Sequence, residues 1–343
     1  MSDRVNRQWL LKSRPMGLPT EENFQLVEKP MPPLGEGEVL RRTLYLSLDP
    51  YMRGRMNAMK SYADPVELGA VMCGGTVSEI VQSRHEGFAP GDVVLGYDGW
   101  QEYGVGAATG LQKLPRGQGD QTPEDWPLSY YLGVLGMPGL TAYVAMLDIG
   151  RPKAGETVVI SAAAGAVGSV AGQIARIKGC RVVGSAGSAD KCRVCTEEFG
   201  FDACFNYKTE PLLRGLRKNC PDGIDVYLDN VGGEMLTVVL RLINIGARIP
   251  LVGMISQYNA TELVAGPNLM PLLVKRALIQ GMIVGDHAHR RDEFLRDVCG
   301  WLKDGRLKFR QTLVDGLAAA PRAFLGLFGG ENIGKLVVKV KTE

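Results

Sequence analysis

The sequence predicts an α/β protein of two domains, one built on a doubly wound parallel sheet and the other a compact, mostly antiparallel β unit. The 343 residues exceed one ordinary hydrophobic core and suit two domains of about 100–200 residues each. Before about Tyr130, short β-like runs are broken by Gly and Pro. From Thr157 onward, short runs that are apolar on both faces alternate with helical stretches, which is typical of a parallel sheet covered by helices.

The β-rich region runs from Trp9 to Leu114, and its candidate strands are residues 38–44, 75–81 and 92–95. The end of the chain returns to β character at residues 336–340, so we expect this tail to fold back onto the first domain. The predicted limits are 1–135, completed by 306–343, for the β-rich domain and 136–305 for the parallel-sheet domain.

Candidate strands of the parallel sheet are residues 157–161, 181–184, 203–205, 225–228, 247–252 and 279–284. Helices are predicted at residues 167–178 and 191–199. Right-handed crossovers would place the helices on both faces of this sheet.

Charge and composition exclude several classes of protein. The net charge of +2 gives no reason to expect nucleic-acid binding. The polar N-terminus lacks the apolar core of a signal peptide, and no apolar run reaches the roughly 18 residues that a membrane span needs. The seven cysteines are spread too widely for a disulfide scaffold. We therefore expect a cytoplasmic protein with no membrane or nucleic-acid partner.

Residues 161–168, Ser-Ala-Ala-Ala-Gly-Ala-Val-Gly, follow a candidate strand directly and open a candidate helix. They form a variant of the glycine-rich fingerprint of dinucleotide-binding proteins, with Ala163 at the first glycine position. Gly165 would let the backbone approach a pyrophosphate, and Gly168 would let helix and strand pack closely. The N–H groups at the helix N-terminus would face the anion. A Gly/Ala-rich turn without a ligand is the alternative interpretation.

The residues at the end of the second strand indicate that the cofactor is NADPH rather than NADH. An NAD site usually carries Asp or Glu about 20 residues after the glycines. Here residues 185–188 are Ser-Ala-Gly-Ser, and Lys191 follows. The missing carboxylate removes repulsion from a 2′-phosphate, and a lysine attracts it. The alternative is a solvated lysine, although a cation in a first helical turn is unfavourable to the helix dipole.

Several stretches, in order along almost the whole chain, resemble one family of enzymes. They are residues 48–53 (LDPYMR), 135–143 (LGMPGLTAY), 161–175, 186–188, 205–208 (FNYK), 229–234 (DNVGGE), 253–259 (GMISQYN) and 331–335 (ENIGK). On these residues the sequence is identified as a member of the zinc-independent branch of the medium-chain dehydrogenase/reductase superfamily. Within it, the sequence is similar to the prostaglandin reductases, leukotriene hydroxydehydrogenases, alkenal double-bond reductases and curcumin reductases.

The resemblance implies a GroES-like first domain around an inserted Rossmann domain, NADPH as cofactor and a homodimer. It also implies that Lys191 and Tyr207 bind the 2′-phosphate, and that Asn230 and Asn332 contact the cofactor near its nicotinamide. The other cofactor-binding residues that it implies are Met137, Thr141, Ala164, Gly165, Ala166, Val167, Gly168, Gly187, Ser188, Gly253, Met254, Ile255, Ser256 and Gly334.

The positions that bind catalytic zinc in related enzymes carry no metal ligand here. Leu46 and Met137 stand where those enzymes have cysteines, and Ala70-Val71 replace His-Glu. Cys192 and Cys195 have C-x-x-C spacing, but no second cysteine pair or His accompanies them in the sequence. Residues 286–289, Asp-His-Ala-His, likewise lack partners. We therefore expect no metal.

The resemblance implies reduction of the carbon–carbon double bond of α,β-unsaturated ketones and aldehydes. Hydride arriving at the β-carbon would leave an enolate, whose charge collects on the carbonyl oxygen and requires hydrogen-bond donors there. Tyr258 follows the fifth strand, at the sheet edge where doubly wound folds bind ligands, and is the candidate catalytic donor beside a ribose hydroxyl. Its alternative is a pocket-wall tyrosine, with solvent protonating the enolate. Tyr51 and Tyr62 are candidate pocket walls.

Other functions stay open at this point. An NADPH quinone reductase would share the cradle and the missing zinc ligands, although the 253–259 run resembles the prostaglandin and alkenal reductases instead. Oxidation of a hydroxyl by NADP⁺ would require a zinc ion or a general base that is not evident. A structural or regulatory protein would bind NADPH with little catalysis.

Overall fold

The protein is described by a computed structural model that covers residues 5–115, 126–262 and 264–340. The chain divides into two compact units. The first consists of Met1–Leu132, Gln311–Asn332 and Leu336–Glu343, and the second of Gly133–Arg310 and Ile333–Lys335. No helix in the described ranges is both long and apolar enough to cross a membrane.

The first unit is mostly antiparallel β structure. Its chain begins with β1 (Val5–Leu11), β2 (Phe24–Pro30), β3 (Glu38–Ser47), α1 (Met52–Arg55), β4 (Thr76–Ser83), β5 (Val93–Gly96), β6 (Tyr103–Ala107) and β7 (Gln112–Lys113). β1 and β2 form an antiparallel pair. In the larger sheet, β3, β4, β5 and β7 follow one another, and β6 also pairs with β3. The strands predicted at 38–44, 75–81 and 92–95 are therefore present as β3, β4 and β5, with small shifts at their ends.

The core of the first unit is aromatic and aliphatic. Trp100 stacks on Phe24 with ring centroids 5.3 Å apart, and Phe324 meets Trp100 edge-on at 5.5 Å. Leu46 and Met52 are fully buried in the same cluster. The position that would hold a zinc-binding cysteine in related enzymes, Leu46, thus serves as a packing residue.

The second unit contains a parallel sheet of strands β8 (Thr157–Ile160), β9 (Arg181–Ala186), β10 (Ala203–Asn206), β11 (Ile224–Leu228), β12 (Ile243–Leu251) and β13 (Leu278–Gly281). The strands pair in parallel in the order β10-β9-β8-β11-β12-β13. This is the order of a Rossmann sheet, which reverses direction between its first and fourth strands, here β8 and β11. The predicted fold class, a β-rich domain with a doubly wound parallel sheet, is confirmed.

Helices of the second unit are α2 (Met137–Val144), α3 (Ala166–Ile177), α4 (Ala189–Arg193), α5 (Leu212–Asn219), α6 (Gly233–Leu240), α7 (Met270–Lys275) and α8 (Arg291–Lys303). The helix predicted at 167–178 is α3. The helix predicted at 191–199 is α-helical only as far as Arg193, and a π-helical turn, Val194–Glu198, follows. The reason is a hydrogen bond in which the Phe199 N–H reaches back five residues to the Val194 carbonyl. The strand predicted at 279–284 is also shorter, because residues from Val284 form a 3₁₀ helix.

The chain then forms β14 (Gln311–Asp315), α9 (Ala320–Gly329) and β15 (Lys335–Lys339). β15 pairs antiparallel with β3, with Val338 opposite Leu46, so the tail adds a strand to the β-rich sheet. Residues 306–310 group with the second unit. The Gln173 side chain holds them there: it donates to the Lys308 carbonyl at 2.9 Å and accepts from the Lys308 N–H at 2.7 Å. The domain limits predicted from the sequence stay a prediction.

Candidate functional site

The turn between β8 and α3 forms the glycine-rich cradle. Gly165 is the N-cap of α3, with an extended backbone and no side chain to occupy the helix N-terminus. A Cβ built on Gly168 would lie 2.5 Å from the Ala162 carbonyl oxygen, so only glycine lets the helix pack this closely on the turn. The N–H groups of Ala166, Val167 and Gly168 begin the helix and face the turn, the arrangement that binds anions in dinucleotide sites.

Gly334 approaches this cradle from the distant end of the chain. Its N–H donates to the Ala164 carbonyl at 2.7 Å, and Gly334 forms a parallel bridge with Gly165. Its φ is +69°, and a Cβ there would collide with the Arg310 carbonyl oxygen. The predicted residues Ala164, Gly165 and Gly334 are therefore brought together, and glycine is required at 334 by both conformation and space.

A cationic corner lies where β9 ends. A Cβ built on Gly187 would be 3.0 Å from the Tyr207 hydroxyl and 3.3 Å from Cε of Lys208. Ser188 caps α4, and its Oγ accepts from the Lys191 N–H at 3.3 Å. Burial lowers the pKa of Lys191, and the positive charge of Lys208 lowers it further. The two lysine ammonium groups repel one another, and a phenol hydroxyl lies beside them. An anion would offset this repulsion and accept their hydrogen bonds, so the corner suits an anion.

Lys208 was not among the residues predicted for this corner. The sequence carried a signal for it, because Lys208 directly follows Tyr207 in the 205–208 run. The acidic residue nearest in sequence, Asp190, is paired with Arg193 at 2.9 Å. The structure thus brings together Gly187, Ser188, Lys191 and Tyr207, and adds Lys208.

The loop after β11 is fixed by a buried carboxylate. Asp229 is fully buried, and its Oδ1 accepts from the Tyr227 hydroxyl at 2.7 Å and from the N–H groups of Val231 and Gly232 at 2.9 and 2.8 Å. Burial raises the pKa of Asp229, and these donors oppose that rise. The result is a rigid turn that presents Asn230 at the carboxyl edge of the sheet, beside the end of β8.

The loop after β12 carries Tyr258. The Ser256 Oγ donates to the Val231 carbonyl at 2.6 Å, which ties this loop to the Asp229 turn. The Met254 N–H donates to the Tyr258 hydroxyl at 3.3 Å, and a Cβ on Gly253 would be 3.1 Å from that oxygen. Burial raises the pKa of Tyr258, and the Met254 N–H partly opposes the rise, so the phenol is protonated and can donate a hydrogen bond.

Tyr258 borders a cavity of about 600 Å³ at the carboxyl ends of β12 and β13. Its lining residues are Leu251, Val252, Gly253, Met254, Tyr258, Gln280, Gly281, Met282, Ile283, Asp286 and His287. Asp286 and His287, from the Asp-His-Ala-His run that has no metal-binding partners in the sequence, lie on this wall. Most of the remaining lining is apolar, which suits an organic substrate with one polar group.

The other predicted residues occupy separate places. Met137 and Thr141 lie in the first turns of α2, where the Thr141 hydroxyl donates to the Met137 carbonyl at 2.7 Å. In the first unit, Tyr62, Tyr97 and Cys73 each lie near enough to Tyr51 to raise its pKa. That pKa is raised, by burial first and by Asp49 second. Asn332 also belongs to the first unit.

Two family models match the chain. One, described as the N-terminal domain of oxidoreductase, covers residues 7–114, and the other, described as zinc-binding dehydrogenase, covers residues 166–299. NADPH-dependent curcumin reductase of Escherichia coli (strain K12) is 51% identical over 98% of this chain and 97% of that protein. NADP(+)-dependent 2-alkenal reductase of Nicotiana tabacum is 42% identical over 100% of both chains. The crystal structure of CurA in complex with NADPH from Vibrio vulnificus is 48% identical, covers 98% of this chain and 100% of that one, and superposes with a TM-score of 0.91.

The Rossmann sheet, its cradle and these matches define an oxidoreductase. The chain belongs to the medium-chain dehydrogenase/reductase superfamily, in the zinc-independent group of curcumin, 2-alkenal and prostaglandin reductases. The family resemblance read from the sequence is confirmed. The name of the second family model refers to zinc, whereas the residues that the sequence alignment places at the catalytic-zinc positions of related enzymes, Leu46, Ala70, Val71 and Met137, lie outside the range that this model matches. Within the described residues, no cluster of three His, Cys, Asp or Glu side chains could hold a metal ion.

Proposed function

We propose that this protein is an NADPH-dependent reductase of the carbon–carbon double bond in α,β-unsaturated ketones and aldehydes. The observation that carries the proposal is the protonated Tyr258 hydroxyl, held by the Met254 N–H on the wall of a mostly apolar cavity at the carboxyl edge of the sheet. The relatives named for curcumin and 2-alkenal reduction support the substrate class.

The cofactor is NADPH, and the structure fits it in two places. The cradle of residues 164–168 suits a pyrophosphate, because Gly165 and Gly168 leave no side chain between the backbone N–H groups and an anion. The corner of Lys191, Tyr207 and Lys208 suits a 2′-phosphate, because it concentrates positive charge beside a hydroxyl donor. Bound NADPH supplies a hydride.

Tyr258 acts on the substrate oxygen. As the substrate's β-carbon gains a hydride, negative charge moves to the carbonyl oxygen, and the Tyr258 O–H donates a hydrogen bond to it. The Met254 N–H donates to the same tyrosine oxygen, so any charge that the phenol takes up is shared with a backbone dipole. A proton from solvent then reaches the α-carbon, and the product is the saturated carbonyl compound. Tyr51 and Tyr62 are proposed as substrate-contacting residues of the first unit.

The test is NADPH oxidation by the purified, metal-free protein with 2-alkenals, acyclic and cyclic enones, and a benzoquinone, each repeated with NADH. We expect turnover of the enals and enones with NADPH, and the saturated carbonyl as the product in mass spectrometry. Turnover of the quinone alone would replace the proposal with a quinone reductase. NADPH binding without turnover of any acceptor would replace it with a cofactor-binding protein.

We also propose that the protein is a homodimer. In the described part of the chain β13 ends the parallel sheet, so one of its edges is left without a neighbouring strand. Apolar side chains are exposed at the start of α7, on α7 itself and in β13, namely Leu269, Met270, Leu273, Val274 and Leu278. A group of exposed apolar side chains near an open sheet edge is typical of a subunit interface. Light scattering after gel filtration should give twice the chain mass, and Leu273→Glu should give the monomer mass.

A further inference from the structure

The cavity beside Tyr258 has a negatively charged wall. Most of the side chains that line it are apolar, and among the described residues of this lining Asp286 is the one that is acidic. Gln280 is neutral, and His287 is counted as neutral at pH 7. A molecule that fills the cavity therefore meets a hydrogen-bond donor at Tyr258 and a carboxylate at Asp286.

No cation of the described chain neutralises this carboxylate. Asp286 is exposed, and within the described ranges its side chain forms no ion pair and accepts no hydrogen bond. Arg290, the next arginine along the chain, pairs with other acids. Its Nε and Nη2 donate to the Asp148 carboxylate at 3.0 and 2.9 Å, and its Nη1 binds Glu293. The charge of Asp286 therefore acts on whatever fills the cavity.

The segment that carries Asp286 is anchored at both ends. At its start, the Met282 N–H donates to the Leu251 carbonyl at 3.3 Å, which ties the segment to the end of β12. Within it, the Asp286 N–H donates to the Ile283 carbonyl at 3.1 Å. At its end, Arg290 is held by the two acids just described. These contacts fix the Asp286 backbone at the wall, so the loop does not withdraw freely from an anion in the cavity.

The size of the cavity brings any second charge close to Asp286. A sphere of its volume, about 600 Å³, is about 10 Å across, which is close to the Debye length of about 8 Å at physiological ionic strength. Salt therefore leaves part of the repulsion between two charges in this cavity in place. The mostly apolar lining adds to the effect, because it does not replace the water that a charged group gives up on entry.

We propose that Asp286 is a specificity-determining residue, through which the cavity takes neutral enones in preference to enones that carry a carboxylate. An anionic substrate is repelled by Asp286 and loses hydration, whereas a neutral amide of the same shape avoids the repulsion. This inference names the substrate class of the Tyr258 cavity and rests on the proposed function.

The experiment compares two enones of nearly equal shape, the para-carboxamide and the para-carboxylate of benzylideneacetone. For each, kcat/KM is measured with NADPH at about pH 8, where an ordinary histidine is neutral. The Kd values of the corresponding saturated ketones are measured by calorimetry with NADP⁺ present, which needs no turnover.

Asp286→Asn removes the charge and keeps the shape of the side chain. Asp222→Asn is the matched control, because it removes the same charge from an exposed residue that precedes β11. Asp222 therefore lies towards the amino edge of the sheet, whereas the cavity lies at the carboxyl ends of the strands.

In the unchanged protein we expect kcat/KM for the carboxamide to exceed that for the carboxylate by about three- to tenfold, the size of a partly screened repulsion between two charges. The Kd values should show the same preference. In Asp286→Asn both ratios should fall towards one, and in Asp222→Asn they should stay as in the unchanged protein.

Equal values for the two enones in the unchanged protein, or a preference that persists in Asp286→Asn, would overturn the role of Asp286. An equal fall in Asp222→Asn would overturn it as well, because the preference would then follow the net charge of the protein. If neither enone turned over, the enone reductase proposal would fail, and the Kd ratio of the saturated ketones would still decide the role of Asp286. Saturated ketones that do not bind would overturn the cavity as a site for such molecules.

Discussion

Ser161 and Asn230 are joined twice, across the point where the strand order of the sheet reverses. The Asn230 backbone N–H donates to the Ser161 Oγ at 2.9 Å, and the Asn230 side chain donates through Nδ2 to the Ser161 carbonyl at 2.8 Å. Ser161 follows β8 directly and Asn230 lies two residues after β11. The crevice between these strands, where a Rossmann sheet binds its dinucleotide, is therefore fixed by hydrogen bonds before any ligand arrives.

Replacing Ser161 by Ala should destabilise the protein. The variant leaves the Asn230 N–H without its acceptor next to a fully buried side chain, so we expect the free energy of unfolding to fall by roughly 1–3 kcal/mol in urea titration. Ser169→Ala is the matched control. Ser169 is equally buried, and its Oγ has no hydrogen-bond partner within the described residues, so its removal should change the free energy by less than about 0.5 kcal/mol. Equal losses in the two variants would contradict the role given to Ser161.

Tyr258→Phe should lower kcat on enones by roughly 10- to 100-fold, because one hydrogen bond to the developing negative charge is lost. The KM for NADPH should stay nearly constant, since the proposed contact of Tyr258 is with the substrate. Stopped-flow measurement of NADPH oxidation separates this step from product release. Tyr45→Phe, in β3 of the other unit, is the control and should leave kcat unchanged. Undiminished turnover in Tyr258→Phe would contradict the catalytic role of Tyr258 and indicate that it only lines the pocket.

The pair of lysines in the cationic corner predicts a cofactor-specific loss. Lys191→Ala and Lys208→Ala should each raise the KM for NADPH by roughly 10- to 100-fold, the cost of a charged hydrogen bond, and change that for NADH little. Lys178→Ala, at the exposed end of α3, serves as the control for charge removal at a distance. The readout is the ratio of the two KM values. A parallel rise for both cofactors would place the lysines at the part of the dinucleotide that NADPH and NADH share.

The low pKa of Lys191 predicts how cofactor preference depends on pH. Because burial and Lys208 lower that pKa, Lys191 loses its proton below the ordinary lysine value of about 10.4. The neutral amine no longer attracts a 2′-phosphate, so the preference for NADPH over NADH should begin to fall at a pH below that at which an ordinary lysine loses its proton. Binding titrations of both cofactors at each pH measure it. Lys191→Arg keeps its charge throughout and should remove the decline. A constant preference in the unchanged protein would contradict this prediction.

Most features that depend on residues close together in the chain could be predicted from the sequence, and most that depend on contacts between distant residues could not. The cradle of residues 161–168 could be predicted because a strand, a glycine turn and a helix are contiguous in the chain. Tyr207 could be assigned to the site only through the family resemblance and Lys208 was missed, because the residues after β10 reach Gly187 only once β10 pairs with β9. The π-helical turn at Val194–Glu198 could not be predicted, because a single backbone hydrogen bond determines it and no residue pattern indicates it. The contact of Gly334 with Ala164 spans half the chain, and only the family resemblance placed Gly334 in the site.

Gly334→Ala tests whether that contact maintains the cradle. A positive φ costs an alanine about 1–2 kcal/mol wherever it occurs. Gly155→Ala measures this conformational cost by itself, because the φ of Gly155 is +86° and a Cβ there meets nothing within 4 Å. At Gly334 the added Cβ also collides with the Arg310 carbonyl, and the segment that donates to Ala164 must shift. We therefore expect Gly334→Ala to lose more unfolding free energy than Gly155→Ala and, unlike it, to bind NADPH more weakly. If the two variants bound NADPH equally well, the Gly334–Ala164 hydrogen bond would be a structural contact with no part in shaping the cradle.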